Sequence, residues 1–122
     1  MKIKLLIACL LTLCSSHLFA YGYLTDLNGP GVRIERYFVH HAGGVSLLLK
    51  DALPHNPDGC GSTKHVFIKG DKPGHQVMVS AALAAFAAGK KIGLHGYGCE
   101  IVPFWGGTST RPTVSELWVF ED

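Results

Sequence analysis

Charge is scarce in this sequence, and what there is nearly cancels. Only 16% of the 122 residues are charged, 11 basic against 9 acidic, for a formal net charge of +2. Two of the basic residues, Lys2 and Lys4, stand at the extreme N-terminus. The remainder carries no basic cluster of the kind that binds a phosphate backbone, so a nucleic-acid partner is not expected. Long apolar runs are also missing. A membrane-spanning helix needs about 20 apolar residues, and the longest candidate, Leu5 to Cys14, is far shorter. Cysteine is limited to four residues, and none forms Cys-x-x-Cys. There is no Gly-x-Ser-x-Gly and no His-x-x-x-His pair, so the common signatures of nucleophilic hydrolysis and of a helix-borne zinc site are absent.

What is present begins with an export signal. Lys2 and Lys4 precede the apolar run, and Ser15-Ser16-His17 leads into Leu18-Phe19-Ala20. That order of basic start, apolar centre and small residue predicts a secretory signal peptide over residues 1–20, cut after Ala20. A lipoprotein signal ending at Cys9 would leave too little apolar length before the cysteine. Removing residues 1–20 takes Lys2 and Lys4 away, leaving nine basic and nine acidic residues in a neutral domain of 102 residues. This predicts one domain, 21–122, in the periplasm or outside the cell. Cys9 and Cys14 leave with the signal, so in an oxidising compartment Cys60–Cys99 is the one intramolecular disulfide available. Two free buried thiols are the alternative.

The pattern predicts mostly strands. Residues 21–30 read as an irregular lead-in. Residues 32–41 alternate until Arg36-Tyr37, where a shift of phase suggests a bulge. Ala42-Gly43-Gly44 is a hairpin turn into a strand with Val45, Leu47 and Leu49 facing inward. Residues 51–63, with Pro54, Pro57, Gly59 and Gly61, form a loop. Residues 64–69 form a third strand, 92–99 a fourth, 103–112 a long loop and 114–120 a last strand. Between the third and fourth lies a helix over residues 75–88, rich in Ala, Leu, Met and Phe, with Gly89 as its C-terminal stop. The order β-β-β-α-β-β predicts a mainly β, α+β fold: a five-stranded barrel of the oligonucleotide/oligosaccharide-binding (OB) type with one helix between strands 3 and 4.

That helix lacks a polar side. Between His75 and Gly89 only Gln76 and Ser80 are polar, and six alanines circle the axis with larger apolar residues. An amphipathic surface helix has a polar face. A second cover from another copy of the chain is therefore expected, with Val77, Ala81, Ala84, Ala85 and Ala88 at the interface. The alternative is that small alanines simply tolerate water.

The Gly59-Cys60-Gly61-Ser62 turn before a strand, the Ala/Leu helix ending in Gly89-Lys90-Lys91, the Ile92-Gly93-Leu94 strand and Gly98-Cys99 resemble the B subunits of AB5 toxins of the subtilase-cytotoxin and pertussis kinds, and small secreted relatives, over about residues 31–120. The resemblance implies an OB fold, a pentameric ring and binding to cell-surface glycans. No glycan-contacting residue of that family carries over onto a position here.

No catalytic constellation stands out. Six histidines survive cleavage, but His40 and His41 are neighbours in a strand and point to opposite faces. Asp51, Asp58 and Asp71 lie in turns with no carboxylate partner. Gly59-Cys60-Gly61-Ser62-Thr63-Lys64 has the wrong order for a phosphate loop. No enzyme activity, metal or cofactor is expected. Sugar binding asks only for an aromatic face and hydrogen-bonding groups. Trp105 with Thr108, Ser109 and Arg111 offers these in the last loop, with Phe104 beside them as a structural cap, and Tyr37, Tyr21 and Tyr23 are further aromatic candidates. The expected function is an exported, non-catalytic binding module for a glycan or a protein, forming a ring of native mass several times that of one chain. The alternatives are a monomeric periplasmic or secreted protein that binds or inhibits a protein partner and, ranked behind it, a small enzyme.

Overall fold

A computed structural model describes residues 21–102 and 108–121. The elements in chain order are β1 (Tyr21–Tyr23), β2 (Ile34–Val39), β3 (Val45–Leu49), β4 (His65–Ile68), α1 (His75–Ala88), β5 (Ile92–Ile101) and β6 (Thr110–Val119). The class is mainly β with one helix between β4 and β5, as the sequence predicts. The five-stranded barrel is corrected: six strands form one open sheet, in the order β1-β5-β6-β4-β3-β2.

The extra strand is β1, which falls in the segment read as irregular. Three residues of Tyr-Gly-Tyr carry no alternation to detect, and the strand is made by pairing at a distance. Tyr21, Gly22 and Tyr23 lie antiparallel to Tyr97, Gly96 and His95. Further along the same edge of β5, Val32 and Ile92 exchange two backbone hydrogen bonds of 2.9 and 2.8 Å. This single bridge ties the lead-in of β2 to the start of β5. Between β4 and β6 the parallel pairing is confined to Phe67 and Thr113. Strand β6 also begins earlier than expected, at Thr110, because Arg111 and Pro112 pair with Glu100 and Cys99 inside what the sequence signals as loop. The predicted phase shift in β2 is present, with the register breaking between Ile34 and Arg36.

Alternation fills the interior. Leu47, Leu49, Val66, Ile68, Ile92 and Leu94 are all buried. The helix closes over this core by one stripe. Ala82 and Ala85 are buried, and Met78 and Val79 pack partly against the core. Their small side chains let the helix axis approach the sheet closely. Gly89 ends the helix at φ 66°, a left-handed conformation that glycine adopts without a Cβ clash, and Lys90 N–H returns to the Ala85 carbonyl at 2.9 Å.

The disulfide joins Cys60, in the β3–β4 loop, to Cys99 in β5, with Cα atoms 5.6 Å apart. Asn56 brackets the Cys60 turn, accepting from Cys60 N–H at 2.9 Å and donating to its carbonyl at 2.8 Å. The bridge therefore staples the loop that enters β4 to the strand that leaves the helix. Among the described residues no helix is long and apolar enough to cross a membrane.

Candidate functional site

A cleft of about 840 Å³ lies at one end of the sheet. Three separate stretches build it: the end of β2 with its turn (Val39 to Gly43), β4 and its exit (Phe67, Lys69 to Asp71), and the end of β5 (Glu100, Ile101). Register explains the meeting. Val45 pairs with Val39 on one side and Ile68 on the other, which brings the β2–β3 turn level with the exit of β4.

The floor is apolar and the rim is polar. Phe67 supplies the floor, with the His40 ring edge-on at 5.8 Å between centroids. Val39 and Ile101 are exposed beside it, at 75% and 46%. On the rim Lys69 Nζ donates to Glu100 Oε1 at 2.8 Å. That bond holds the Lys69 ammonium pKa above its ordinary value, against a smaller opposing effect of burial. His40 Nε2 is hydrogen-bonded to the buried Ser46 Oγ. The arrangement offers an apolar floor edged by a carboxylate, an ammonium and imidazoles.

Two histidines, His40 in the cleft and His65 at the start of β4, couple stability to pH. Burial pushes the His40 imidazole below its ordinary pKa of 6.5. Burial, assisted by the positive charge of Arg111, does the same to His65, whose Nδ1 shares a 2.9 Å hydrogen bond with Ser62 Oγ. The folded chain therefore resists protonation more than the unfolded chain does. Their contribution to stability is complete above about pH 6.5 and is lost as pH falls towards the folded pKa values. The thermal midpoint should drop between about pH 7 and pH 5. His65→Gln should flatten part of that slope, as calorimetry across the range would show.

Of the residues expected to bind a ligand, the described ones, Tyr37, Thr108, Ser109 and Arg111, do not line the cleft. Tyr37 lies on β2 beneath the helix: its hydroxyl donates to the Val79 carbonyl at 3.1 Å and its ring stacks on Phe86. Burial raises its phenol pKa. It clamps α1 to the sheet. Arg111 is 8% exposed, and its Nη1 donates to the Ser109 carbonyl at 2.9 Å. Thr108 and Ser109 are exposed, while the neighbouring Thr110 Oγ1 accepts from Gly61 N–H at 2.9 Å, so this segment leans on the turn that carries Cys60. Trp105, its neighbour Phe104 and residues 1–20, expected to be a signal peptide, lie outside the described residues.

The expected helix interface divides. Val77, Ala84 and Ala88 are exposed, with Val77 at 78%, and Ala81 is half-buried. Ala85 belongs to the chain's own core at 1% exposure, because it falls on the same stripe as Met78 and Ala82. Leu83 and Phe86, which the alanine-based reading passed over, are exposed at 50% and 39%.

Two chemistries can be tested directly. Among the described residues no three His, Cys, Asp or Glu side chains come together to hold a metal ion. Ser115, His95 and Glu116 do meet on the sheet, but Ser115 Oγ (2.8 Å) and Glu116 Oε2 (3.1 Å) both address Nδ1 of His95. A nucleophile relay needs the serine on one ring nitrogen and the carboxylate on the other. The cleft residues were not visible as a set in the sequence, since they come from three distant stretches. Compared with known proteins, the chain matches no family model, no curated protein sequence and no solved structure.

Proposed function

We propose that this protein is an exported, non-catalytic binding module whose cleft takes a glycan. The observation that carries the reading is the cleft itself, where an apolar floor at Phe67 and Ile101 is rimmed by Glu100, Lys69, His40 and His41. A sugar ring lays its C–H face on such a floor and offers its hydroxyls to such a rim. The disulfide supports export, since such bonds persist in oxidising compartments. An opened OB-like arrangement is supported by the neighbour order β2-β3-β4-β6-β5, with the Val32–Ile92 bridge between its two ends. This keeps the likeness to toxin B subunits as the working comparison. The exposed apolar side of α1 is the surface where copies of the chain would meet in a ring.

The test is a panel of immobilised glycans probed with the wild-type chain and with Glu100→Ala. The wild type should bind a subset, and Glu100→Ala should weaken that binding about tenfold through loss of a charge-assisted hydrogen bond. Equal binding by both chains would place the ligand elsewhere.

A further inference from the structure

We infer that the outer face of the β1–β5–β6 ribbon is a second sugar-contacting surface. Its floor is Trp118, its wall is Tyr23, and it takes a neutral pyranose with an uninterrupted C–H face, such as a β-galactoside. The inference rests on the glycan reading above but not on the cleft.

The surface is built by register. Gly93 on β5 is the partner of Trp118 on β6, His95 is the partner of both Glu116 and Tyr23, and no register shift separates them. Side chains of cross-strand partners, and of residues two apart, share a face. Trp118, Glu116, His95 and Tyr23 therefore stand together. A Cβ placed on Gly93 would lie 1.9 Å from Cε2 and 2.0 Å from Nε1 of Trp118. The indole thus lies on bare glycine backbone, and Trp118 as a residue is half-buried. Tyr23, 46% exposed, stands edge-on to the indole at 6.3 Å and to His95 at 5.0 Å. The result is a shallow right-angled ledge.

Packing alone would also place a ring over Gly93, but it does not account for an indole. Nε1 of Trp118 is buried and finds no hydrogen-bond partner among the described residues. Leaving such a donor unsatisfied destabilises the fold, and phenylalanine would cover the glycine without that cost. What indole adds is a wider π surface, and that surface is what stacks against a sugar.

The ledge also selects by charge. Its one fixed charge, among these residues, is the Glu116 carboxylate, on a side chain that is 67% exposed. Hydroxyl groups donate to a carboxylate, whereas an acidic sugar is repelled by it. A β-galactoside presents a continuous C–H patch for Trp118 and free hydroxyls for Glu116.

The experiment is an NMR titration of the 15N-labelled, disulfide-bonded chain with methyl β-galactoside, with a sialoside as the charged comparison. The two tryptophans give two indole N–H signals, and Trp118→Phe assigns them. Saturable movement of the Trp118 signal with the galactoside but not the sialoside is the expected result. Trp118→Phe should weaken binding about fivefold while leaving the thermal midpoint unchanged or higher. Glu116→Ala, at an exposed side chain, should weaken it about tenfold. An unmoved Trp118 signal, or unchanged affinity in both variants, would overturn the inference. Shifts confined to His40–Gly43 and Phe67 would overturn the ledge and uphold the cleft. Shifts confined to the ribbon would uphold the ledge.

Discussion

Replacing Cys60 and Cys99 with serine should cost about 4 kcal/mol and lower the thermal midpoint by about 20 °C. The bridge spans 39 residues of sequence, a stretch that includes β4 and all of α1. Without it the unfolded chain regains the freedom of that whole loop. The native side changes less. Asn56 still brackets the turn through its two hydrogen bonds, and Asp58 Oδ2 still accepts from Gly98 N–H at 2.7 Å. The loss therefore acts mainly through the unfolded state. Reduction of the wild type should reproduce it, and circular dichroism melts with and without reductant would check both. A drop of only a few degrees would mean that local hydrogen bonds, not the bridge, fix this loop.

Gly31→Ala should cost about 3 kcal/mol. A Cβ there would lie 2.4 Å from the Ile92 carbonyl oxygen and 2.6 Å from the Phe120 ring. The ring can turn aside, but the carbonyl cannot. It accepts the Val32 N–H, and Ile92 N–H donates back to Val32. Relieving the contact breaks the one bridge between the lead-in of β2 and β5. Loss of both bonds, about 1 kcal/mol each, and displacement of Phe120 make up the figure. Denaturant titration of the variant measures it, and an unchanged midpoint would show that the bridge contributes nothing to the fold.

Local features were the ones that could be read from the chain. Alanine content and Gly89 define α1, because helix propensity and its glycine stop are properties of neighbouring residues. The Ala42-Gly43-Gly44 turn and the bulge in β2 are short-range signals too. The Cys60–Cys99 pair followed from counting once an export signal was read. What stayed hidden depends on pairing at long range. Strand β1 exists because β5 offers it an edge. Thr110 to Pro112 look like loop and become strand against Cys99 to Ile101. An open rather than a closed sheet is likewise decided by which distant edges meet.

The candidate sites divide on the same line. Residues close in sequence, such as Thr108 to Arg111, suggested a binding loop, but Arg111 is buried and Thr110 is bonded to the Cys60 turn. Tyr37, an aromatic near a bulge, is engaged with α1. The cleft draws on residues some 60 positions apart, from Val39 to Ile101. Trp118 matters because its register partner is Gly93, and register cannot be read from either residue alone.

The most direct test of the account is to take the best-binding glycan from the panel and titrate it into the 15N-labelled chain, then recover the glycan. The account predicts saturable shifts at the amides of His40 to Gly43, Phe67 and Glu100, with the glycan returned unchanged. A panel with no binder, or a glycan returned cleaved, would contradict a non-catalytic glycan-binding module.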